Sequence, residues 1–392
     1  MRLVESHIID KSLELDELTF KTKNLYNAVN YIIRQEFISN GNWLRKLHLF
    51  TLCKDMNEYT ALPVRVSRCV IRMLDTNWTS FFEAMKSYKK NKNSFRGRPN
   101  LPNYLDKNSR FTAIFIDNGV LKRNIKNGYI GLSSLKQKIK IHIIDKKIIE
   151  VQVVPYYNKI KIQVVYEEPN IELKTNNKKY CSVDLGVNNL MTITSNIKTI
   201  KPLIINGRPL KSINQYYNKK LAKLKSLKAT KQIQMLGFKK TNKVNTFMHQ
   251  TSRYLIDYCG TNKINTIVIG HNHFWKQKVN MGKVNNQKFV SIPFDKLIQM
   301  IKYKALLKGI NIIQQEESYT SKCSFLDMES VKKQNEYSGR RVKRGLFVSK
   351  SGKTINADVN GSYNILRKAV PNVFDNGIED VAVHPNEVVT LY

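Results

Sequence analysis

Acidic residues are scarce in this chain: 30 Asp and Glu stand against 66 Lys and Arg in 392 residues, leaving a formal charge of +36. That excess is beyond what colloidal solubility requires and predicts a polyanionic partner. Long apolar runs are also missing. No stretch reaches the roughly 18 uninterrupted apolar residues of a membrane span, and the opening Met1-Arg-Leu-Val-Glu-Ser-His lacks the apolar core of a secretory signal. A cytoplasmic protein with no membrane partner is therefore expected. Cysteine is sparse and odd in number, with Cys53, Cys69, Cys181, Cys259 and Cys323 far apart and no C-x-x-C pair. This excludes a disulfide framework and a Cys-rich zinc site. The 42% hydrophobic and 10% aromatic residues that are present suffice for real cores, and the length suits two or three domains.

The positive charge is spread along the whole chain, as on folded surfaces that follow an extended phosphate backbone. A strand is expected at residues 3–9, then a helical region over about 15–92 with apolar residues at three- and four-residue spacing. Within it, after the helix-starting Pro63, Arg65, Arg68 and Arg72 share one face while Val66, Val70, Met73 and Leu74 point elsewhere. That face is a candidate phosphate or groove contact, or an ordinary solvated face. Residues 91–103 form a basic connector broken by Gly and Pro, in which Phe95 sits beside Arg96 and Arg98. Residues 111–167 alternate apolar with polar residues, including a run at 138–143, and predict a small β-barrel or sandwich. A polar linker at 175–179 closes the first half.

The second half opens with YCSVDLGVNNLMTITS at 180–195, a hairpin carrying Asp184 in an otherwise apolar strand. Basic helices are expected at about 212–231 and 243–260, the first presenting Tyr216 and Tyr217 with Lys219, Lys220, Lys223 and Lys225. A strand at 265–270, a helix at 293–308 stopped by Gly309, and a strand from Ile310 follow. Hairpin strands followed by strand-helix-strand alternation describe a mixed α/β sheet compatible with the RNase H architecture.

Phosphodiester hydrolysis with two divalent metals about 3.5–4 Å apart requires several hard oxygen ligands from different strands. Asp184 is one candidate, against the alternative of an edge or turn residue. Asp358 is another: it opens a helix whose apolar side is Val359, Tyr363 and Leu366, and its alternative role is a helix cap.

The ordered segments SVDLGVNNLMTI, NTIVIGHNHFWKQ, EESYTSKCSFLD, RGLF and NADVNGSYNILRK resemble the OrfB/TnpB proteins of insertion sequences, relatives of the type V CRISPR effectors. FRGRPNLPNY and NWTSFFEAMKSYK in the first half resemble family segments as well, so the resemblance extends over most of the chain. It implies an α/β and α+β multidomain protein. The implied parts are a wedge β-barrel (1–12 and 96–174), an inserted helical recognition domain (13–95) and an RNase H-like, RuvC-type nuclease domain (175–392). The implied activity is RNA-guided cleavage of DNA. The implied partners are a guide RNA derived from a mobile element and double-stranded target DNA; the protein would be nucleoid-associated when bound. Asp184 matches the family's first catalytic aspartate and Asp358 its third acidic position.

Two departures stand out. The position of the usual second acidic residue holds Gly270, and the nearest substitutes are Glu316 and Glu317. Because side chains alternate along a strand, only one of them is expected to face the site, with Glu317 preferred. Asp184, Glu317 and Asp358 are thus the expected ligands of two Mg²⁺, with Mn²⁺ able to substitute. His271 and His273 are less suited to Mg²⁺. The second departure is zinc: many family members carry two Cys pairs where residues 318–354 hold only Cys323, so no zinc is expected there. What stands in its place is a basic insertion with Lys332, Lys333, Arg340, Arg341, Lys343 and Arg344, a solvated loop or a flap that grips the DNA strand. Trp275, with Lys276 and Lys278, pairs an aromatic face with cations, as single-strand binders do. The leading expectation is an endonuclease cutting guide-complementary DNA beside a short adjacent motif. The alternatives are a nuclease-dead RNA-guided binder acting as a repressor, motivated by Gly270, and a transposase that joins strands.

Overall fold

In the computed structural model, which describes residues 1–169, 171–272, 282–375, 377–378 and 381–391, the chain divides into two units, Met1–Asn170 and Ile171–Tyr392. The first begins with β1 (Arg2–Asp10), whose residues alternate between exposed and partly covered, as in a strand with one packed face. The helical stretch read at 15–92 is four helices: α1 (Leu13–Asn40), α2 (Lys46–Leu52), α3 (Asn57–Thr60) and α4 (Val64–Lys90). Ser12 caps α1 by accepting the Leu15 amide, and Gly41, at φ +70°, ends it in the left-handed conformation. Pro63 sets the start of α4. Val66, Val70, Leu74 and Trp78 on α4 are buried, and Arg65, Arg68 and Arg72 are exposed on the other side, as the spacing predicts. The Trp78 indole donates to Asn30 Oδ1 (3.0 Å), and Asn30 in turn donates to the Pro102 carbonyl (3.0 Å), tying α4 to α1 and to the connector.

The strands of this unit are β2 (Ala113–Ile116), β3 (Val120–Leu121), β4 (Tyr129–Leu132), β5 (Ile139–Lys140), β6 (Lys147–Tyr156) and β7 (Lys159–Glu167). They form an antiparallel sheet in the order β1-β7-β6-β2 and a smaller one in the order β3-β4-β5. The run expected at 138–143 is a strand only over two residues. Beyond it, the His142 and Ile143 amides are taken by the Glu5 carboxylate instead of a ladder partner. Val29 and Ile33 of α1, Val70 and Leu74 of α4, and Phe115, Val151 and Val164 of the larger sheet belong to one core.

The second unit contains β8 (Tyr180–Leu185), β9 (Asn189–Ser195), β10 (Leu203–Asn206), α5 (Arg208–Ser226), α6 (Thr230–Thr261), β11 (Thr266–Gly270), α7 (Lys283–Val290), α8 (Phe294–Leu306), β12 (Asn311–Gln315), β13 (Arg340–Lys343), β14 (Leu346–Val348), β15 (Thr354–Ile355), α9 (Ala357–Ala369) and β16 (Glu387–Val389). Its six-stranded sheet runs β12-β11-β8-β9-β10-β16. β8, β9 and β10 form an antiparallel meander, while β11 and β12 run parallel to β8. An antiparallel three-strand meander whose first strand adjoins two parallel strands is the RNase H-like arrangement expected. β10 and β16, at four and three residues, were too short to read from pattern. The two basic helices meet at a tighter turn than expected, around Lys228 at φ +48°, so each is displaced or extended from its expected bounds.

All five residues of β11 are buried, as a parallel strand covered on both faces requires. Its Ile267 and Ile269 pack with α6 and α8, and the intervening Val268 packs with Val359, Tyr363 and Leu366 of α9. The sheet is thus sandwiched between helices. Residues 318–354 are not simply a solvated loop: β13, β14 and β15 form a small antiparallel sheet, and Phe325 and Phe347 are buried with Tyr363, Phe325 stacking on it at 4.5 Å.

Candidate nuclease site

Alternation along β8 determines where Asp184 points. Cys181, Val183 and Leu185 enter the core beneath α6 and α8, so Ser182 and Asp184 face α9. There the hydroxyls of Ser182, Thr194 and Ser362 bond one another at 2.7–3.1 Å. Small residues let α9 lie this close. A Cβ on Gly361 would stand 3.0 Å from Asp184 Oδ2, so the glycine leaves room for the carboxylate.

Asp358 lies in the first turn of α9 but does not cap it, which corrects the capping alternative. Asn356 does so, its side chain accepting the amides of Asp358 (3.0 Å) and Val359 (3.2 Å). The Asp358 carboxylate is therefore released from backbone duty at the positive end of the helix. Its Oδ2 accepts from Asn189 (2.6 Å) and its Oδ1 from Arg341 (3.3 Å).

Gly270 ends β11 beside Gln315 of β12. A Cβ placed on Gly270 would meet Glu317 Oε2 at 2.8 Å and Ile365 Cδ1 at 2.5 Å. The carboxylate of Glu317, two residues beyond β12, therefore stands against the space that the missing side chain leaves. Asn272 fixes it from both ends, accepting the Glu317 amide (3.1 Å) and donating to Oε1 (3.3 Å). Glu316 is turned elsewhere: it is exposed, ion-paired with Lys368 at 2.6 Å, and bonded to the Ser318 amide and hydroxyl.

The electrostatics separate the two glutamates in the same way. Burial, reinforced by the charge of Glu316 and only partly offset by Lys368, pushes Glu317 up to about 7. Burial also acts upward on Glu316, but its hydrogen bonds to Lys368 and Ser318 hold it below the usual carboxylate range. Asp184 is raised well above its ordinary value, first by burial and then by the charges of Glu317 and Asp358, with Arg341 opposing. The charges of Glu317 and Asp358 thus reach Asp184 in a place with too little positive charge. Three oxygen donors with a charge deficit fit a hard divalent cation, and none of the three is a sulfur or nitrogen ligand. His271 is directed to Asp295 (3.2 Å).

The other candidates fare differently. Arg65 is ion-paired with Asp117, and Arg68 lies over the Phe50 ring at 5.4 Å; Arg72 is exposed. Arg96 and Arg98 are exposed, but Phe95 is half-buried and packs edge-on against Tyr88 at 5.6 Å, which makes it a packing residue. Lys219 and Lys220 are exposed on α5. Lys220 lies 5.9 Å from the Tyr216 ring and Lys240 lies 4.4 Å from that of Tyr217, beside a cleft of about 900 Å³ between α5 and α6. Arg340, Arg341, Lys343 and Arg344 are exposed at the β13–β14 hairpin. His273, Trp275, Lys276 and Lys278 lie outside the described residues. Asn189, Asn272 and Lys368 were not legible as site residues, because no local pattern signals a partner 45 to 169 positions away. Among the described residues, no helix is long and apolar enough to cross a membrane.

Two family models match the chain: OrfB_IS605, described as a probable transposase, over residues 163–275, and the Cas12f1-like TNB domain over residues 294–365. Over these two segments the chain is similar to OrfB_IS605 and Cas12f1-like proteins. It is 24% identical over 408 residues to the TnpB-like protein ORF457 of Acidianus two-tailed virus, covering 91% of this chain and 83% of that protein. It is 30% identical over 210 residues to the CRISPR-associated endodeoxyribonuclease Cas12f2 of Micrarchaeota archaeon (strain CG1_02_47_40), half of this chain but only 38% of that longer protein. The mini-RNA-guided endonuclease CRISPR-Cas_phi3 shares the fold, with a TM-score of 0.50 and 11% identity over 94% of this chain and 92% of that one. The Cas12f1-like match includes the whole basic segment 318–354, so that segment resembles part of a recognisable domain.

Proposed function

We propose that this chain is an RNA-guided DNA endonuclease of a mobile element, using Asp184, Glu317 and Asp358 as its metal-holding carboxylates. The single observation that carries the reading is the position of Glu317 against Gly270, which supplies the acidic group that the OrfB/TnpB pattern otherwise lacks. The relatives named as RNA-guided or CRISPR-associated nucleases and the charge of +36 support a guide RNA and a double-stranded DNA target as partners. Recognition of a short motif beside the target belongs to the same proposal.

Mg²⁺, replaceable by Mn²⁺, fits the donor set; two such ions bound there supply an activated water and stabilise the leaving oxygen. The chain's own contribution is placement. Asn272 orients Glu317, while Asn189 and the capped start of α9 orient Asp358. Lys368 keeps Glu316 out of the cluster. Arg341, exposed and already beside Asp358, is placed to meet a phosphate entering the site.

Gly270 is the observation that favours the nuclease-dead reading, since a conventional ligand is missing there. The test is Mg²⁺-dependent cleavage of a plasmid library bearing a guide-matched target beside random flanking bases, with Asp184→Ala, Glu316→Ala and Glu317→Ala compared with wild type. Loss of cleavage in Asp184→Ala and Glu317→Ala but not in Glu316→Ala is expected. Guide-dependent binding without cleavage by wild type would overturn it in favour of a repressor. Joined-strand products would point to a transposase.

A further inference from the structure

We infer that Glu5, His7 and His142 form a binding site for a zinc-class divalent metal ion in the first unit. Glu5 and His7 are two apart on β1 and so project from the same face. His142 reaches them from just beyond β5, and its ring lies nearly parallel to that of His7, with centroids 5.6 Å apart. One ligand atom from each of the three residues lies within 4.8 Å of the others, the only such trio of His, Cys, Asp or Glu among the described residues.

Hydrogen bonding alone leaves this cluster unsatisfied. Glu5 Oε1 already accepts the His142 amide (2.9 Å) and approaches His142 Nδ1 (2.8 Å). His7 Nε2 pairs with the same oxygen at 2.7 Å and finds no further hydrogen-bond partner. Three groups crowd one carboxylate oxygen whose lone pairs serve two. A cation between them resolves the conflict by accepting the lone pairs of both neutral imidazoles together with the carboxylate.

The donor set selects the ion. Two imidazole nitrogens and one carboxylate oxygen suit Zn²⁺, Co²⁺ or Ni²⁺ rather than Mg²⁺ or Ca²⁺. Tetrahedral zinc with ligands at about 2.0–2.1 Å sets neighbouring ligand atoms about 3.4 Å apart, so the 2.7 and 2.8 Å approaches must open by roughly 0.6 Å. The His142 side chain, 74% exposed, has the freedom to do this and leaves a fourth position open to water. The ion would fasten the edge strand β1 to the segment at 142–143, which has no ladder partner.

The test uses the full chain carrying Asp184→Ala and Asp358→Ala, so that the acidic trio takes no part, stripped of metal with a chelator. Zn²⁺ is titrated by calorimetry and Co²⁺ by visible absorption. The expected result is one equivalent bound, with the d–d bands of tetrahedral Co²⁺ that excess Mg²⁺ does not remove. His142→Ala, at an exposed position that tolerates truncation, abolishes the bands and weakens Zn²⁺ binding by more than about tenfold, and His7→Ala does the same. Absence of binding, or binding unchanged in His142→Ala, overturns the inference and leaves an ion-paired lock between β1 and its neighbour.

Discussion

Replacing Glu317 by Gln makes the metal-free protein more stable at neutral and alkaline pH while removing its cleavage. Burial and the Glu316 charge raise the Glu317 carboxyl from an ordinary 4.5 to about 7. The folded state therefore holds a proton that the unfolded chain gives up, and stability falls as pH rises from about 4.5 to about 7. Above that window the cost is complete. The gap corresponds to about 3 kcal/mol as a ceiling, and partial exposure of Glu317 reduces it to about 1–3 kcal/mol. Gln keeps an acceptor for Asn272 and cannot ionise, so the substitution abolishes this cost. For a unit of this size the gain is roughly 3–9 °C in melting temperature at pH 8 in chelator, shrinking towards zero near pH 5. In Mg²⁺ the same variant loses at least about 100-fold in cleavage rate. Thermal denaturation of wild type and Glu317→Gln at the two pH values, with plasmid cleavage alongside, measures both. An equal melting temperature at pH 8, or a gain that persists undiminished at pH 5, would refute the electrostatic reasoning; full cleavage would remove Glu317 from the site.

Gly270→Glu alone sets its new side chain against Ile365 and Glu317 and costs about 1–3 kcal/mol by overpacking. Combined with Glu317→Gly it recovers part of the cleavage lost in Glu317→Gly, and no recovery would mean that the two carboxylates do not serve the same place. Asn356→Ala removes the α9 cap and costs about 1 kcal/mol in chemical denaturation, with Asn356→Asp close to wild type; equal loss in both would show that packing, not capping, holds Asn356. Arg341→Ala frees Asp358 of its cationic neighbour. It slows cleavage about tenfold while the Mg²⁺ concentration at half-maximal rate stays the same or falls, and a rise in that concentration would contradict the placement of Arg341 against the ligand.

Local pattern made much of this molecule legible. A strand at 3–9 and alternation within 111–167 marked β1 and the larger sheet, apolar runs around a turn marked β8 and β9, and three- and four-residue spacing marked the helical region of α1 and α4 as well as α8 and α9, because periodic apolar residues face a core. Asp184 and Asp358 were visible for the same reason, as acidic residues within otherwise apolar periodic segments. Short strands such as β10 and β16 carry too few residues for a period, and the run at 138–143 lost its ladder to the distant Glu5 carboxylate.

The sequence by itself indicated the basic charge, most of the longer elements and the proposed carboxylates Asp184 and Asp358, with Glu317 preferred over Glu316. Between Glu316 and Glu317 strand alternation favoured Glu317, and the tertiary structure gives the two different surroundings. Both lie past the end of β12, where strand alternation no longer applies, so neighbours decide: Lys368 from α9 holds one, and Asn272 after β11 holds the other beside Gly270. A site assembled from contacts between segments far apart in the chain leaves no local period to read, because its geometry exists only once the sheet and α9 have packed.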